Sequence, residues 1–319
     1  MSEPLIRTEN LKKYFQVREG TLHAVDDITL EIPKGKTLGL VGESGCGKST
    51  LGRTLIRLLD PTSGKIYFQG QDITDVKGRQ LRAMRKEMQI FFQDPLSSLD
   101  PRKPVHELIA EPLAAAKVCR SREERYRRVL ELMDTVGLAR RFVSAYPHEL
   151  DGGRRQRVGI ARALALNPSF IVCDEPVSSL DVSIQAQILN LLMDLQEERA
   201  LTYLFITHDL LVVRHISDEI MVMYLGQCVE KAPSDELFKH PLHPYTKALL
   251  SAIPVPDIRM RRKPVMLEGE VTDPVDPKEG CRFAGRCSQC KEACLRTPYA
   301  LQEVSPGHYT SCVLYRQNV

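Results

Sequence analysis

The segment Gly42-Glu-Ser-Gly-Cys-Gly-Lys-Ser49 constrains the fold of this chain more than any other stretch. It follows Thr37–Val41, a short and mostly apolar run that predicts a buried strand, and it precedes a helical pattern over residues 50–59. Glycines at this spacing between a strand and a helix are typical of a phosphate-binding loop. Because glycine has no Cβ, consecutive backbone N–H groups can curl around phosphate oxygens.

The other residues of this loop also suit a phosphate ligand. The N-terminus of the following helix adds the positive end of its dipole. We expect Lys48 to reach the β- and γ-phosphates of ATP and the Ser49 hydroxyl to ligate Mg²⁺. A glycine-rich turn with a surface lysine is the alternative, and the flanking strand and helix argue against it. The residues predicted to contact the nucleotide are Gly42, Ser44, Gly45, Cys46, Gly47, Lys48, Ser49 and Thr50.

A pair of carboxylates, Asp174 and Glu175, follows a second apolar run at residues 170–173. In open α/β sheets, ligands bind at the carboxyl ends of the strands. Asp174 is therefore expected to join the Mg²⁺ shell, and Glu175 to polarise the attacking water. A solvated acidic turn is the alternative, which an acidic pair without an upstream phosphate loop would favour.

Composition limits the classes of protein that remain. Apolar residues make up 43% of the 319 residues, and the formal net charge is only +3, which does not indicate a nucleic-acid groove. No stretch reaches the roughly 18 uncharged apolar residues that a membrane span needs. The N-terminus lacks the apolar run of a secretory signal, so we expect a cytosolic protein.

The order of elements predicts the domain organisation. Strands alternate with helical patterns, which indicates a mostly parallel sheet with flanking helices, and residues 95–165 are helical and charged. After residue 253, prolines cluster and the periodicity ends. We therefore expect a nucleotide-binding domain over residues 1–253 and a small Cys-rich extension over residues 254–319.

Further motifs follow in a fixed order. Gln93 ends a strand-like run, Leu150-Asp-Gly-Gly-Arg154 precedes a helical run, Ser179-Leu-Asp181 follows the carboxylates, and His208 follows another strand. Across about residues 5–250, this order resembles the ATP-binding subunits of ATP-binding cassette (ABC) transporters. The resemblance implies an α/β P-loop NTPase with a RecA-like core, an antiparallel β subdomain and a helical subdomain at about residues 95–165.

Longer strings narrow the resemblance. GESGCGKST, FFQDPLSSLDPR, VSSLDVSIQAQILNLL, ITHDL and HPLHPYTKALLSAIP are similar to the dipeptide/oligopeptide importer branch. This similarity implies a transport ATPase on the cytoplasmic face of the membrane, with a second ATPase subunit, two permeases, an extracytoplasmic binding protein and no nucleic acid. Nickel chelates and glutathione remain alternative cargoes. A soluble cassette ATPase acting on nucleic acid or ribosomes and an iron–sulfur redox protein are the rival classes; a single phosphate loop and the absence of flavin or nicotinamide signatures argue against them.

The same resemblance implies roles for individual residues. Phe15 would stack on adenine, with Tyr14 as the alternative. Gln93 would sense the γ-phosphate and Mg²⁺ and relay to the permease, and Asp181 would communicate across the dimer. His208 would contact the γ-phosphate. The catalytic set is therefore Glu175, His208, Gln93 and Lys48, and the metal ligands for Mg²⁺ are Ser49, Gln93 and Asp174.

The signature motif departs from the family pattern. The family has Leu-Ser-Gly-Gly-Gln, and this chain has Asp151, Gly152, Gly153 and Arg154 after the leucine. In the family, this motif closes over the ATP that the partner subunit holds. A carboxylate there would repel the γ-phosphate by about 4 kcal/mol at 4 Å and an effective dielectric near 20. Pairing with Arg154 or capping the following helix is an alternative role for Asp151.

Five of the nine cysteines lie near the end of the chain. Four thiolates on a short segment can hold Zn²⁺ or a [4Fe–4S] cluster. The importer branch resembles this chain in carrying an iron–sulfur site, here at Cys281, Cys287, Cys294 and Cys312, with Cys290 as an extra cysteine that could replace one of its neighbours. Zinc and free or disulfide-linked thiols are the alternatives.

Overall fold

The computed structural model describes residues 3–91, 99–178, 180–253, 267 and 274–316. Its strands are β1 (Ile6–Val17), β2 (Gly20–Ile32), β3 (Thr37–Val41), β4 (Ser63–Phe68), β5 (Gln71–Asp72), β6 (Met88–Phe91), β7 (Phe170–Asp174), β8 (Thr202–Ile206), β9 (Glu219–Tyr224), β10 (Gln227–Pro233), β11 (Gln302–Ser305) and β12 (His308–Thr310). Its α-helices are α1 (Lys48–Leu55), α2 (Gly78–Glu87), α3 (Val105–Ala116), α4 (Arg122–Thr135), α5 (Gly152–Leu164), α6 (Val182–Arg199), α7 (Leu210–Ile216), α8 (Ser234–Lys239), α9 (Pro244–Ser251) and α10 (Glu292–Arg296). The α/β class is therefore confirmed. None of these helices combines the length and apolarity that crossing a membrane requires.

The chain forms two compact units. The first unit comprises Met1–Leu5, Pro33–Lys36 and Asp75–Phe205, and the second comprises Ile6–Ile32, Thr37–Thr74 and Ile206–Val319. The phosphate loop lies in the second unit, and the carboxylate pair lies in the first.

An antiparallel sheet in the second unit has the strand order β2-β1-β4-β5. Ile6 pairs with Ile32 of β2 on one side and with Phe68 of β4 on the other, and all three side chains are buried. Strands β4 and β5 form an antiparallel hairpin, in which Phe68 pairs with Gln71. This sheet matches the antiparallel β subdomain that the resemblance implied.

A second run of strands in the same unit has the order β11-β12-β10-β9-β3. All five residues of β3 are buried, and β3 pairs in parallel with β9, as expected for strands covered on both faces. The last two strands of the chain join this sheet because β12 pairs with β10. A buried hydrogen bond between His308 Nε2 and Glu230 Oε1, at 2.8 Å, connects the same two strands.

The first unit contains three sheet strands in the order β8-β7-β6. β6 pairs in parallel with β7, from Met88 opposite Phe170 to Phe91 opposite Cys173. Helices α3, α4 and α5 occupy the stretch that the sequence predicted to be helical. Arg162 of α5 donates to Glu111 of α3 at 3.0 Å, which connects two of these helices.

Both predicted ends of the helix after the phosphate loop need correction. The helix after the phosphate loop begins at Lys48 rather than at residue 50, because the left-handed Gly47 (φ +103°) ends the loop there. The same helix ends at Leu55 rather than at residue 59, and Arg57 two residues later is left-handed as well (φ +58°). Most of the proline-rich start of the predicted extension, residues 254–266 and 268–273, lies outside the described residues.

Candidate nucleotide-binding site

The phosphate loop connects the buried strand β3 to the first turn of α1. Two of its glycines have positive φ and lie against the backbone of neighbouring segments. A Cβ on Gly42 would lie 2.2 Å from the carbonyl oxygen of Met223, and a Cβ on Gly47 would lie 2.0 Å from that of Ala24. Both contacts are far shorter than side-chain atoms tolerate, so the loop path requires glycine at these positions.

The side chain of Lys48 folds back onto the loop. It is only 5% exposed, and its ammonium group donates to the carbonyl oxygens of Gly42 at 2.7 Å and Glu43 at 2.9 Å. Cys46 is buried beside it, and this burial raises the pKa of the Cys46 thiol. The positive charge of Lys48 is therefore held within the loop that the sequence assigns to phosphates.

The loop tip is open to solvent, and its base is anchored. Ser44 and Gly45 are exposed, whereas Ser49 and Thr50 are half-buried in the first turn of α1. An exposed loop tip with backbone N–H groups next to a helix N-terminus is suited to binding phosphate oxygens.

Residues from the C-terminal part of the chain hold Glu43 of the loop. Its backbone N–H donates to the hydroxyl of Tyr245 at 2.8 Å, and its carboxylate accepts from Arg286 at 2.8 Å. The hydrogen bond to Glu43 is the main reason why the pKa of Arg286 is raised. Sequence reasoning missed this ion pair, since no local pattern marks partners 243 residues apart.

An aromatic and charged cluster lies on the antiparallel sheet. The ring of Tyr14 stacks on that of His23, with 3.8 Å between centroids, and the Tyr14 hydroxyl donates to Asp26. Arg282 also donates to Asp26. Burial raises the pKa of Asp26, but the hydrogen bond from Tyr14 and the charge of Arg282 outweigh it, so the net pKa is lowered.

Tyr14 and Phe15, the two candidates for adenine stacking, are adjacent on β1 and therefore face opposite sides of the sheet. Phe15 is half-buried, and the ammonium of Lys13 lies 4.9 Å from its ring centroid. In β2, which pairs with the strand of Tyr14, the backbone N–H of Asp26 donates to the carbonyl oxygen of Gly226. The N–H of Gly226 donates in turn to the carbonyl oxygen of the loop residue Cys46. Hydrogen bonds therefore connect β2 to the phosphate loop.

The carboxylate pair lies at the end of a strand in the first unit, as predicted. Asp174 is the last residue of β7 and is 2% exposed. Glu175 follows in the left-handed conformation (φ +50°), and its carbonyl oxygen accepts from the Ser178 hydroxyl at 3.2 Å. The chain therefore turns sharply between the two carboxylates.

Three further predicted site residues have different outcomes. Asp181 caps α6 by accepting from the backbone N–H of Ile184 at 3.0 Å, and a hydrogen bond from Ser183 is the main cause of its lowered pKa. His208 is exposed in the turn between β8 and α7, in the second unit. Gln93 lies outside the described residues.

Asp151 both caps a helix and pairs with an arginine. Its carboxylate accepts from the backbone N–H of Arg154 at 2.8 Å, which satisfies the N-terminus of α5. The second carboxylate oxygen lies 2.7 Å from the guanidinium of Arg154. Both alternatives considered for Asp151 are present together, and its charge has a local counter-ion.

The glycines after Asp151 lie against hydrophobic side chains. A Cβ on Gly153 would lie 2.6 Å from the Ile184 side chain, and one on Gly152 would lie 3.0 Å from Leu180. The start of α5 can therefore approach the segment that leads into α6 only because these two residues lack side chains.

Replacing Asp151 by alanine is expected to lower the free energy of unfolding by about 1 kcal/mol, because α5 loses its capping acceptor. Replacement by serine, whose hydroxyl also caps, is expected to cost only a few tenths of a kcal/mol, since an exposed ion pair contributes little. Urea unfolding of the purified chain measures the free energy of unfolding of each variant. Equal losses for the two variants would show that the ion pair with Arg154, and not the cap, stabilises this end of α5.

Four cysteines of the tail line one small cavity together with apolar side chains: Cys281, Cys287, Cys294 and Cys312. Burial, together with the nearby thiols of the other three, raises the pKa of Cys281 to about 11. Cys290 is exposed. In the described part of the chain, no three or more His, Cys, Asp or Glu side chains are arranged to hold a metal ion.

Four thiols are a ligand set that either a zinc ion or an iron–sulfur cluster takes. One zinc ion holds its sulfur ligands at about 2.3 Å. A four-iron cluster takes the same four thiolates around a larger core. The four cysteines lie around one small cavity, and the backbone N–H of Lys291 donates to the Cys294 sulfur at 3.4 Å.

A phosphate loop between a parallel strand and a helix, with a carboxylate pair at the end of another strand, defines a P-loop nucleotide hydrolase. Comparisons with known proteins specify the family. The ABC transporter model matches residues 25–178, and the model of the oligopeptide/dipeptide transporter C-terminal region matches residues 229–294.

Similar proteins match over nearly the whole chain. The oligopeptide transport ATP-binding protein AppF of Bacillus subtilis is 50% identical over 323 residues, covering 98% of both chains. OppF of the same organism, also named an oligopeptide transport ATP-binding protein, is 50% identical over 313 residues, covering 98% of this chain and 97% of its own. Among solved structures, the dimeric ATP-binding cassette MJ0796 bound to ADP and Pi is 32% identical with a TM-score of 0.66, covering 72% of this chain and 98% of its own.

The chain therefore belongs to the ABC transporter family, in the group of oligopeptide transport ATP-binding proteins. It is an ATPase coupled to transport, and the resemblance inferred from its motifs is confirmed.

Proposed function

We propose that this chain hydrolyses ATP to energise a membrane importer of di- or oligopeptides. The observation that carries the proposal is the near full-length similarity to oligopeptide transport ATP-binding proteins, which includes the C-terminal region. Nickel chelates and glutathione are the alternative cargoes.

The proposed chemistry is an in-line displacement at the γ-phosphorus. The oxygen of a water molecule forms the new P–O bond, the bond to the β-phosphate oxygen breaks, and ADP and phosphate leave. Glu175 takes the proton of the water, and Lys48 and His208 stabilise charge on the γ-phosphate. Ser49, Asp174 and Gln93 would hold Mg²⁺, which would neutralise charge that develops on the phosphates. The strand-end position of Asp174 and the burial of Lys48 within its loop support these roles.

The proposed assembly has two cassette subunits, two permeases and an extracytoplasmic binding protein, with this chain peripheral to the membrane on the cytoplasmic face. Dimerisation is supported by the similar cassette MJ0796, whose solved structure is dimeric. We propose a heterodimer, because Asp151 brings a carboxylate toward ATP held by a second copy, and its exposed pair with Arg154 offsets that repulsion only in part. The partner's signature would complete this chain's own site, and Asp181 would communicate between the subunits.

Reconstitution tests the cargo. The chain, its partner cassette and the permeases are placed in liposomes, and phosphate release is measured with the binding protein and candidate cargoes. We expect stimulation by di- or oligopeptides and its loss with Lys48→Ala. Stimulation by a nickel chelate or by glutathione, but not by peptides, would overturn the peptide assignment.

We also propose that residues 1–253 act as the nucleotide-binding domain and residues 254–319 as an extension carrying a [4Fe–4S] cluster on Cys281, Cys287, Cys294 and Cys312. Such a cluster, when bound, would cross-link a short segment with little core of its own. The cavity that the four thiols share supports this assignment.

Anaerobic purification tests the cluster. We expect a brown protein with absorbance near ~400 nm, about four irons per chain, and loss of both after Cys294→Ser. Cys290→Ser is the matched control, because Cys290 is exposed in the structure, and it should leave the iron content unchanged. Stoichiometric zinc without iron would exclude the cluster.

A further inference from the structure

We infer that Arg286, from the C-terminal region, is a positioning residue of the ATP site that neutralises and fixes Glu43 of the phosphate loop. This role concerns nucleotide binding, so it is independent of the cargo that the transporter carries.

The position of Arg286 is set by its own segment. Residues Ala284–Arg286 form a 3₁₀ turn between two of the tail cysteines, and the Arg286 N–H donates to the carbonyl oxygen of Phe283 at 3.0 Å. Phe283 is 1% exposed and packs against Tyr224 and Tyr245, with ring centroids 5.3 and 5.5 Å apart. The arginine therefore projects from a segment that is fixed in the core of the second unit.

The ion pair itself is largely removed from solvent. The Arg286 side chain is 11% exposed and that of Glu43 is 26% exposed. Arg286 Nη1 donates to the Glu43 carboxylate at 2.8 Å and lies 3.4 Å from the hydroxyl of Tyr224. A pair this sheltered is screened less by water and salt than one on the surface.

Glu43 connects this pair to the atoms of the loop. Its carbonyl oxygen accepts from Lys48 Nζ at 2.9 Å and from the Cys46 N–H at 3.3 Å, and its own N–H donates to Tyr245 at 2.8 Å. Any movement of Glu43 therefore displaces the acceptor of Lys48, the residue expected to contact the β- and γ-phosphates.

The charge of Glu43 matters as much as its position. A carboxylate in a loop that binds a polyanion opposes binding unless a cation neutralises it. Arg286 supplies that cation with a planar group that holds carboxylates in a defined geometry. Removing Arg286 would leave an uncompensated negative charge next to the phosphates, while removing the charge of Glu43 would not.

Nucleotide binding to the full-length chain tests this role. We expect Arg286→Ala to raise the Kd for a fluorescent ATP analogue about tenfold or more, because the uncompensated carboxylate of Glu43 then opposes the phosphates. In the assembled transporter, KM for ATP should rise while kcat at saturating ATP is retained. Arg286→Lys should retain most of the affinity, because it keeps the charge. Arg296→Ala, which removes an exposed arginine of the same tail, is the control and should leave Kd unchanged.

Removing the charge of Glu43, the partner of Arg286, distinguishes a charge effect from a general loss of structure. Glu43→Gln alone should bind the analogue within about threefold of the parent, and adding it to Arg286→Ala should restore binding to the same range. If Arg286 only supports the fold, the double variant will bind as weakly as Arg286→Ala, and that result would overturn the inference. An unchanged Kd in Arg286→Ala would overturn it as well. Should Arg286→Ala fail to fold, Arg286→Gln, which keeps the side-chain length without the charge, replaces it in the same comparison.

Discussion

Replacing Glu175 by glutamine is expected to lower ATP hydrolysis by the assembled transporter about 10²–10⁴-fold, the usual contribution of a general base. Glutamine has nearly the same shape as glutamate but cannot accept the proton of the attacking water. The left-handed turn at Glu175, with its carbonyl oxygen bonded to Ser178, involves only backbone atoms of this residue and is retained. ATP affinity should therefore change little while phosphate release is lost.

Phosphate release and binding of a fluorescent ATP analogue measure the two quantities separately. Glu198→Gln makes the same chemical change at an exposed position of α6 in the same unit and should leave both unchanged. If Glu175→Gln retains more than half of the hydrolysis rate, Glu175 is not the base.

The same substitution also tests the proposed asymmetry of the dimer. This chain's own loop and carboxylates match the family pattern, whereas its signature carries Asp151. Glu175→Gln in this chain should therefore reduce transport-coupled hydrolysis more than the equivalent change in the partner cassette. Equal losses from both changes would count against two unequal sites.

Replacing Gly47 by alanine is expected to lower the free energy of unfolding by about 3 kcal/mol or more and to abolish ATP binding. Two costs combine here: a strained left-handed backbone and overpacking, each about 1–3 kcal/mol. Gly47 has φ +103°, and the new Cβ would lie 2.0 Å from the carbonyl oxygen of Ala24. Because that oxygen belongs to the backbone of β2, the loop must move instead, and its N–H groups lose their arrangement around the phosphates.

Gly35→Ala separates the two costs. Gly35 is also left-handed (φ +73°), but among the described residues no atom lies within 4 Å of its would-be Cβ. This variant should lose only about 1–2 kcal/mol, the cost of the backbone conformation, and should bind ATP normally. Urea unfolding and analogue binding measure the two variants side by side. Similar losses of stability and normal ATP binding in both variants would mean that the contact with Ala24 relaxes easily and that the loop tolerates a side chain at position 47.

Local patterns predicted the strand before the phosphate loop and the presence of the helix after it. The short, mostly apolar run Thr37–Val41 predicted a strand with the same bounds as β3. The bounds of α1 were missed, since the left-handed residues that limit it, Gly47 and Arg57, follow from the path of the chain and not from hydrophobic periodicity. The short strands β11 and β12 were missed as well, because the proline-rich and Cys-rich tail has no alternation to reveal them.

The phosphate loop, the carboxylate pair and the family were determined by the sequence itself, because their chemistry requires particular residue types at short and fixed spacing. The position of Asp151 before a helix suggested two local roles, capping the helix and pairing with Arg154. The tertiary structure showed that Asp151 has both roles. Only the tertiary structure could bring Arg286 to Glu43 and Arg282 to Asp26. Such pairs depend on how distant segments pack, and no spacing along the chain encodes a contact between residues more than 240 positions apart.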